Sequence, residues 1–158
     1  MVLINQMSKK ILICSTILFL FACGGGIEKI PVAEVAVDSN FALGDYTAYL
    51  STNKTNDLSD QMAKKYGLER KKNLAMLNVS ILRNSDWKSI DAKIELHVKN
   101  LIGQNKKVDK FTIKENGAIS NSFISPISNQ ETLLYSLAIT VKDQGTNKIE
   151  YHKKYNFE

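Results

Sequence analysis

The clearest regularity along this chain is an alternation of apolar and polar positions that begins near residue 77 and persists almost to the last residue. Ile90, Ala92, Ile94, Leu96 and Val98 alternate with Asp91, Lys93, Glu95 and His97. That pattern predicts a strand over 90–98 with one packed and one wet face. The stretch 132–142 repeats it, with Leu133, Tyr135, Leu137, Ile139 and Val141 on the packed side. Weaker alternations predict strands over 44–52, 77–82, 108–114, 118–124 and 149–157. Asn116-Gly117 is a hairpin signal, Gly103 and Gly145 mark further turns, and Pro126 stops the strand before it. Ahead of the sustained alternation, Leu58, Met62 and Tyr66 recur at helical spacing. Ser59 or Asp57 is the N-cap of this helix and Gly67 its stop, which gives about two turns. About seven strands with one short helix predict an all-β chain, an antiparallel immunoglobulin-like β-sandwich, with a barrel as the alternative. No Cys-Trp-Cys pattern is present, so the antibody class itself is excluded.

The first 40 residues follow another rule. Lys9 and Lys10 precede a largely apolar run, 11–20, which continues through Leu20-Phe21-Ala22 to Cys23 and the glycines 24–26. Charge, apolar core, small residue and cysteine stand in the order of a signal peptide. The last four residues resemble a bacterial lipobox. That resemblance implies cleavage before Cys23, diacylglycerol on its thiol, and anchoring in a membrane. A spanning helix is the competing reading, but it needs roughly 20 apolar residues and this run has about a dozen. The expected organisation is therefore a signal peptide over 1–22, a flexible tether over 23–40, and a sandwich over 41–158. Gly24 rather than aspartate follows the cysteine, which by resemblance to enteric-type lipoproteins implies the outer membrane, facing the periplasm.

Removing the first 22 of 158 residues takes away two lysines and no acids, so the net charge falls from +5 to +3. The basic residues are scattered among acids, which argues against nucleic acid as a partner and allows weak adhesion to a phospholipid surface. Cys14 lies in the signal peptide and Cys23 is the acylation site, so the mature domain has no thiol for a disulfide, a nucleophile or a metal. His97 and His152 are the only histidines, each on the polar side of an expected strand. With Glu95 or Glu150 they would be the ligands of a metal carrier or the core of a small enzyme. Glu115 and Glu131 fall in turns without an apolar pocket signature, and no Gly-x-Ser-x-Gly or phosphate-binding glycine loop occurs. The chain is thus expected to carry no cofactor and no catalytic site.

Several polar residues stand in unusual places: Tyr66-Gly67-Leu68 with Arg70, Leu77-Asn78-Val79, and Asn100-Leu101-Ile102-Gly103-Gln104. At these residues, and at Gly44-Asp45-Tyr46, Phe111 with Ile113 and Glu115, and Asn129 with Glu131, the chain resembles a bacterial family of exported proteins. That family is domain of unknown function 4426, and the likeness spans about residues 44–157. It implies one domain in an exported protein and no particular activity. The residue types nominate Tyr66, Leu68, Arg70, Asn100 and Gln104 as a binding surface built from two loops, since Arg and Tyr are enriched at hot spots. The competing reading is scaffold, with Tyr66 in the core and Arg70 paired to Asp60 or Glu69. The expected function is a membrane-anchored, non-catalytic module that binds an envelope protein or component.

Overall fold

The structure, a computed structural model, describes residues 39–157. The expected signal peptide, Cys23 and nearly all of the expected tether lie outside the described residues. Nine strands and one α-helix follow in order: β1 (Asn40–Leu43), β2 (Tyr46–Lys54), α1 (Asp60–Tyr66), β3 (Leu74–Arg83), β4 (Ser89–Ile90), β5 (Lys93–Asn100), β6 (Asp109–Glu115), β7 (Ala118–Pro126), β8 (Glu131–Val141) and β9 (Gly145–Tyr155). They form two antiparallel sheets. Sheet A runs β1-β2-β3-β7-β6 with β4 beside β3, and sheet B runs β5-β8-β9.

Without β1 and the two-residue β4, the sheets have the strand order of a constant-type immunoglobulin sandwich, four strands over three. The expected seven-strand sandwich is this core, and the barrel is excluded. Two strands were not expected. β1 starts at Asn40, the last residue of the expected tether, and runs on into the expected sandwich, pairing Asn40 with Tyr49 and Leu43 with Tyr46. The single strand read over 90–98 is in fact two. β4 pairs with Ile81 and Leu82 in sheet A, and after Asp91 and Ala92 the chain continues as β5 in sheet B. Ile90 and Ile94 both reach the core, so the alternation runs unbroken across the change of sheet.

The core lies between the sheets. Leu77, Val79 and Ile81 of β3 meet Leu133, Leu137 and Ile139 of β8, all nearly inaccessible to water. Three tyrosines extend it toward the chain's end. Tyr135 and Tyr151 face each other across the β8–β9 ladder, with ring centroids 6.0 Å apart, and the Tyr135 and Tyr155 hydroxyls are 2.7 Å apart. Burial pushes the Tyr135 phenol far up and the Tyr155 phenol to about 12, so each stays a neutral hydrogen-bonding group.

Helix α1 is capped as its sequence requires: the Ser59 hydroxyl accepts from the Met62 N–H, and Gly67 closes it at φ 64°. The buried face differs from the expected Leu58-Met62-Tyr66 stripe. Met62 is exposed and Ala63 is buried. Ala63, Leu58 and Met76 are buried outside the main core, and Met76 stands between two core residues of β3, so it points to the opposite face.

Candidate functional site

Strand β8 is the middle strand of sheet B, and its two faces have opposite characters. The inward residues are large and apolar; the outward ones, Leu134, Ser136, Ala138 and Thr140, are mostly small. Their neighbours on β5 and β9 are long and polar. The register sets three rows across the sheet: Glu95-Ala138-Lys148, His97-Ser136-Glu150 and Lys99-Leu134-His152. A low floor between two tall walls makes a trough. It consists of two depressions of about 330 Å³ and 260 Å³ that share Ser136 and Glu150. His97 lines the larger and His152 the smaller. Lys93 donates to Glu95 at 2.7 Å and, by that bond and its charge, holds the Glu95 carboxyl below the usual carboxylate range.

The two histidines stand on strands separated by β8 and are offset by one row. Two strand spacings put about 10 Å between their backbones. Among the described residues, no group of three or more His, Cys, Asp or Glu side chains is placed to hold a metal.

The loop 100–104 closes the end of the sandwich that also carries Asn129 and the chain's last residues. Asn100 is buried and organises it. Its Oδ1 accepts from the Gln104 N–H at 2.9 Å, and its Nδ2 donates to Gln104 Oε1 at 2.9 Å and to Glu131 Oε1 at 3.0 Å. Backbone bonds from Asn100 N to Gln104 O and from Gly103 N to Asn100 O complete the loop. Lys106 meets the same Glu131 oxygen at 2.6 Å, both side chains largely buried. Burial alone would raise the Glu131 carboxyl, but the bonds from Lys106, Asn100 and the Ser128 N–H outweigh it and draw it down. Between these clamped residues, Leu101 and Ile102 project into solvent, 69% and 79% exposed.

The other nominated loop is engaged elsewhere. Arg70 pairs with Asp60 and donates to the Asn56 carbonyl at 2.9 Å. The Tyr66 hydroxyl and the Lys65 ammonium both bond Glu115, whose carboxyl is held down by Lys65 first and Tyr66 second. Leu68 is half-buried, and its N–H caps α1 through the Ala63 carbonyl. Glu115 ends β6 at the β6–β7 hairpin, the end of the sandwich opposite Asn100. The structure therefore brings Asn100 to Gln104, and Tyr66 to Glu115. No hydrogen bond or ion pair among the described residues joins the two loops. Glu115 and Glu131 lie at opposite ends and do not meet. Sequence reading overlooked the trough residues Ser136, Ala138 and Lys148. The available signal was the row of small residues on the wet side of an otherwise bulky strand.

Fold and surface together define an immunoglobulin-type sandwich with one open polar sheet face and one rigid apolar loop. The chain belongs to the family domain of unknown function DUF4426, whose model matches residues 40–157. A crystal structure of a DUF4426 family protein from Pseudomonas aeruginosa PAO1 is similar in fold, with a TM-score of 0.66 and 24% identity, covering 75% of this chain and 94% of that one. Crystallised FetP from uropathogenic Escherichia coli strain F11 gives a TM-score of 0.48 and 12% identity, covering 74% and 92%. No curated protein matches the chain.

Proposed function

We propose that this protein is an exported lipoprotein, held in the bacterial envelope by lipid on Cys23, whose sandwich is a non-catalytic module for an envelope polypeptide. The lipobox-like Leu20-Phe21-Ala22-Cys23 and the absence of any further cysteine downstream support the anchor. Gly24 supports the outer membrane, on its periplasmic side. The observation that carries the binding reading is the trough over β8. A floor of Ser136 and Ala138 lets an extended backbone lie low, and walls of mixed sign take a segment carrying both charges. Its polar groups are spread over three strands of an open face and contact a partner without converging on one atom.

The test is photo-crosslinking in intact cells from position 138, with position 112 on β6 as control. A discrete adduct from 138 that disappears in Ser136→Arg, at unchanged melting temperature, supports the reading. Equal adducts from both positions, or an adduct indifferent to Ser136→Arg, overturn it. In that case the nominated residues Tyr66, Leu68, Arg70, Asn100 and Gln104 are the next surface to probe.

A further inference from the structure

The loop 101–102 is the least expected feature of the surface. Leu101 and Ile102 are consecutive, apolar and among the most exposed large hydrophobic side chains described, at the tip of a loop fixed by Asn100, Gln104 and Gly103 at φ 81°. A flexible loop would fold such residues inward, whereas this one holds them out at the cost of hydrating them.

The same end of the sandwich is basic. Its carboxylates are already engaged: Glu131 with Lys106, Asp109 with Lys107, Glu69 with Lys71, and Asp57 with the Lys54 N–H. Lys72, Lys99 and Lys154 remain exposed and carry no ion pair among the described residues. An apolar tip at an end of the domain that carries uncompensated lysines matches the boundary of an anionic lipid layer, apolar below and negative at the headgroups. Chain length permits the contact. Ser39, the first described residue, is 16 positions beyond Cys23, a reach of roughly 50 Å when extended.

We infer that the end of the domain bearing Leu101 and Ile102 docks on the anionic phospholipid surface, with the two side chains inserted at the headgroup boundary. The sheet B face is then held clear of the surface, free to take its partner. The inference rests on the proposed anchoring for the presence of the membrane, and on the loop itself for the surface used.

Trp87 supplies the internal control. It is the only tryptophan, 65% exposed, in the β3–β4 turn at the opposite end of the sandwich. The full-length chain purified from membranes is reconstituted into phosphatidylethanolamine–phosphatidylglycerol vesicles containing acyl-brominated lipid. The reporter is Ile102→Trp in a Trp87→Phe background; the unsubstituted chain reports from Trp87. Expected is several-fold stronger quenching at position 102 than at Trp87, reduced by Leu101→Asp and by replacing phosphatidylglycerol with phosphatidylcholine. Equal quenching at both positions, none at 102, or a blue shift at 102 that grows with protein concentration without vesicles overturns the inference, the last assigning the loop to self-association. Mass analysis of the N-terminal peptide reads the anchor separately. If Cys23 carries no lipid, flotation of the full chain with excess anionic vesicles replaces quenching. Loss of flotation in Leu101→Asp/Ile102→Asp then upholds docking, and unchanged flotation overturns it.

Discussion

At the scale of single residues, the buried polar groups are the sharpest features. Tyr135 and Tyr155 bring two hydroxyls into the core, 2.7 Å apart, where one donates to the other. Removing one hydroxyl takes this bond from its partner, so Tyr135→Phe or Tyr155→Phe is expected to cost about 0.5–1.5 kcal/mol in urea unfolding. The double replacement is expected to cost less than the two singles added together. The same pair sets the alkaline limit. In the unfolded chain a tyrosine loses its proton near about pH 10, whereas folded Tyr155 holds it to about 12 and Tyr135 beyond that. The raised pKa stabilises the fold fully below about pH 10 and is lost as pH rises toward 12. Melting temperature followed from pH 8 to 12 is expected to fall above about 10, and less steeply in the double phenylalanine variant.

Among the elements, β8 carries the most consequence. Its inner side holds Leu133, Tyr135, Leu137, Ile139 and Val141, all buried, and its outer side floors the trough. Leu137→Ala is expected to destabilise by about 2–5 kcal/mol. Leu96, its cross-strand partner, is only half-buried on the edge strand β5, so Leu96→Ala is expected to cost less. Lys142→Ala, on an exposed position, should stay within about 0.5 kcal/mol. Denaturation curves of the three test the assignment of faces; comparable losses at 137 and 142 would reverse it. Helix α1 teaches a different lesson. Its caps were legible because Ser59 and Gly67 act within one turn of chain. Its buried face was not, because sheet A, rather than the helix's own apolar residues, selects which side of seven residues is covered.

For the whole molecule, the proposed lipid on Cys23 carries the decisive prediction. Each buried methylene of an acyl chain contributes about 0.8 kcal/mol, so several chains on Cys23 anchor durably and none leaves the protein unanchored. Cys23→Ser is expected to leave an uncleaved or soluble species, read by detergent phase partitioning of cell extracts. Partitioning of that variant into the detergent phase as completely as the parent would remove the anchor from the account. Among the described residues no helix is long and apolar enough to cross a membrane.

The division between what is written locally and what is not follows from distance along the chain. The faces of the strands are decided residue by residue, since each apolar side chain gains by leaving water whichever strand lies opposite. Alternation therefore revealed the strands, their inward sides and the sandwich. Which sheet a strand joins depends on partners far away, and the same alternation serves either sheet. Hence 90–98 looked like one strand although it crosses from β3 to β8 at Asp91 and Ala92. Likewise, Asp60 was legible as a partner of Arg70 because it lies ten residues away, whereas Tyr66 showed its chemistry but not its partner, since Glu115 is 49 residues on. The trough needs β5, β8 and β9 side by side, and the projecting Leu101-Ile102 needs Asn100 locked to Glu131, 31 residues on. Those arrangements exist only once loop-closure entropy has been overcome by the core, so they belong to the folded domain and not to any one stretch of its sequence.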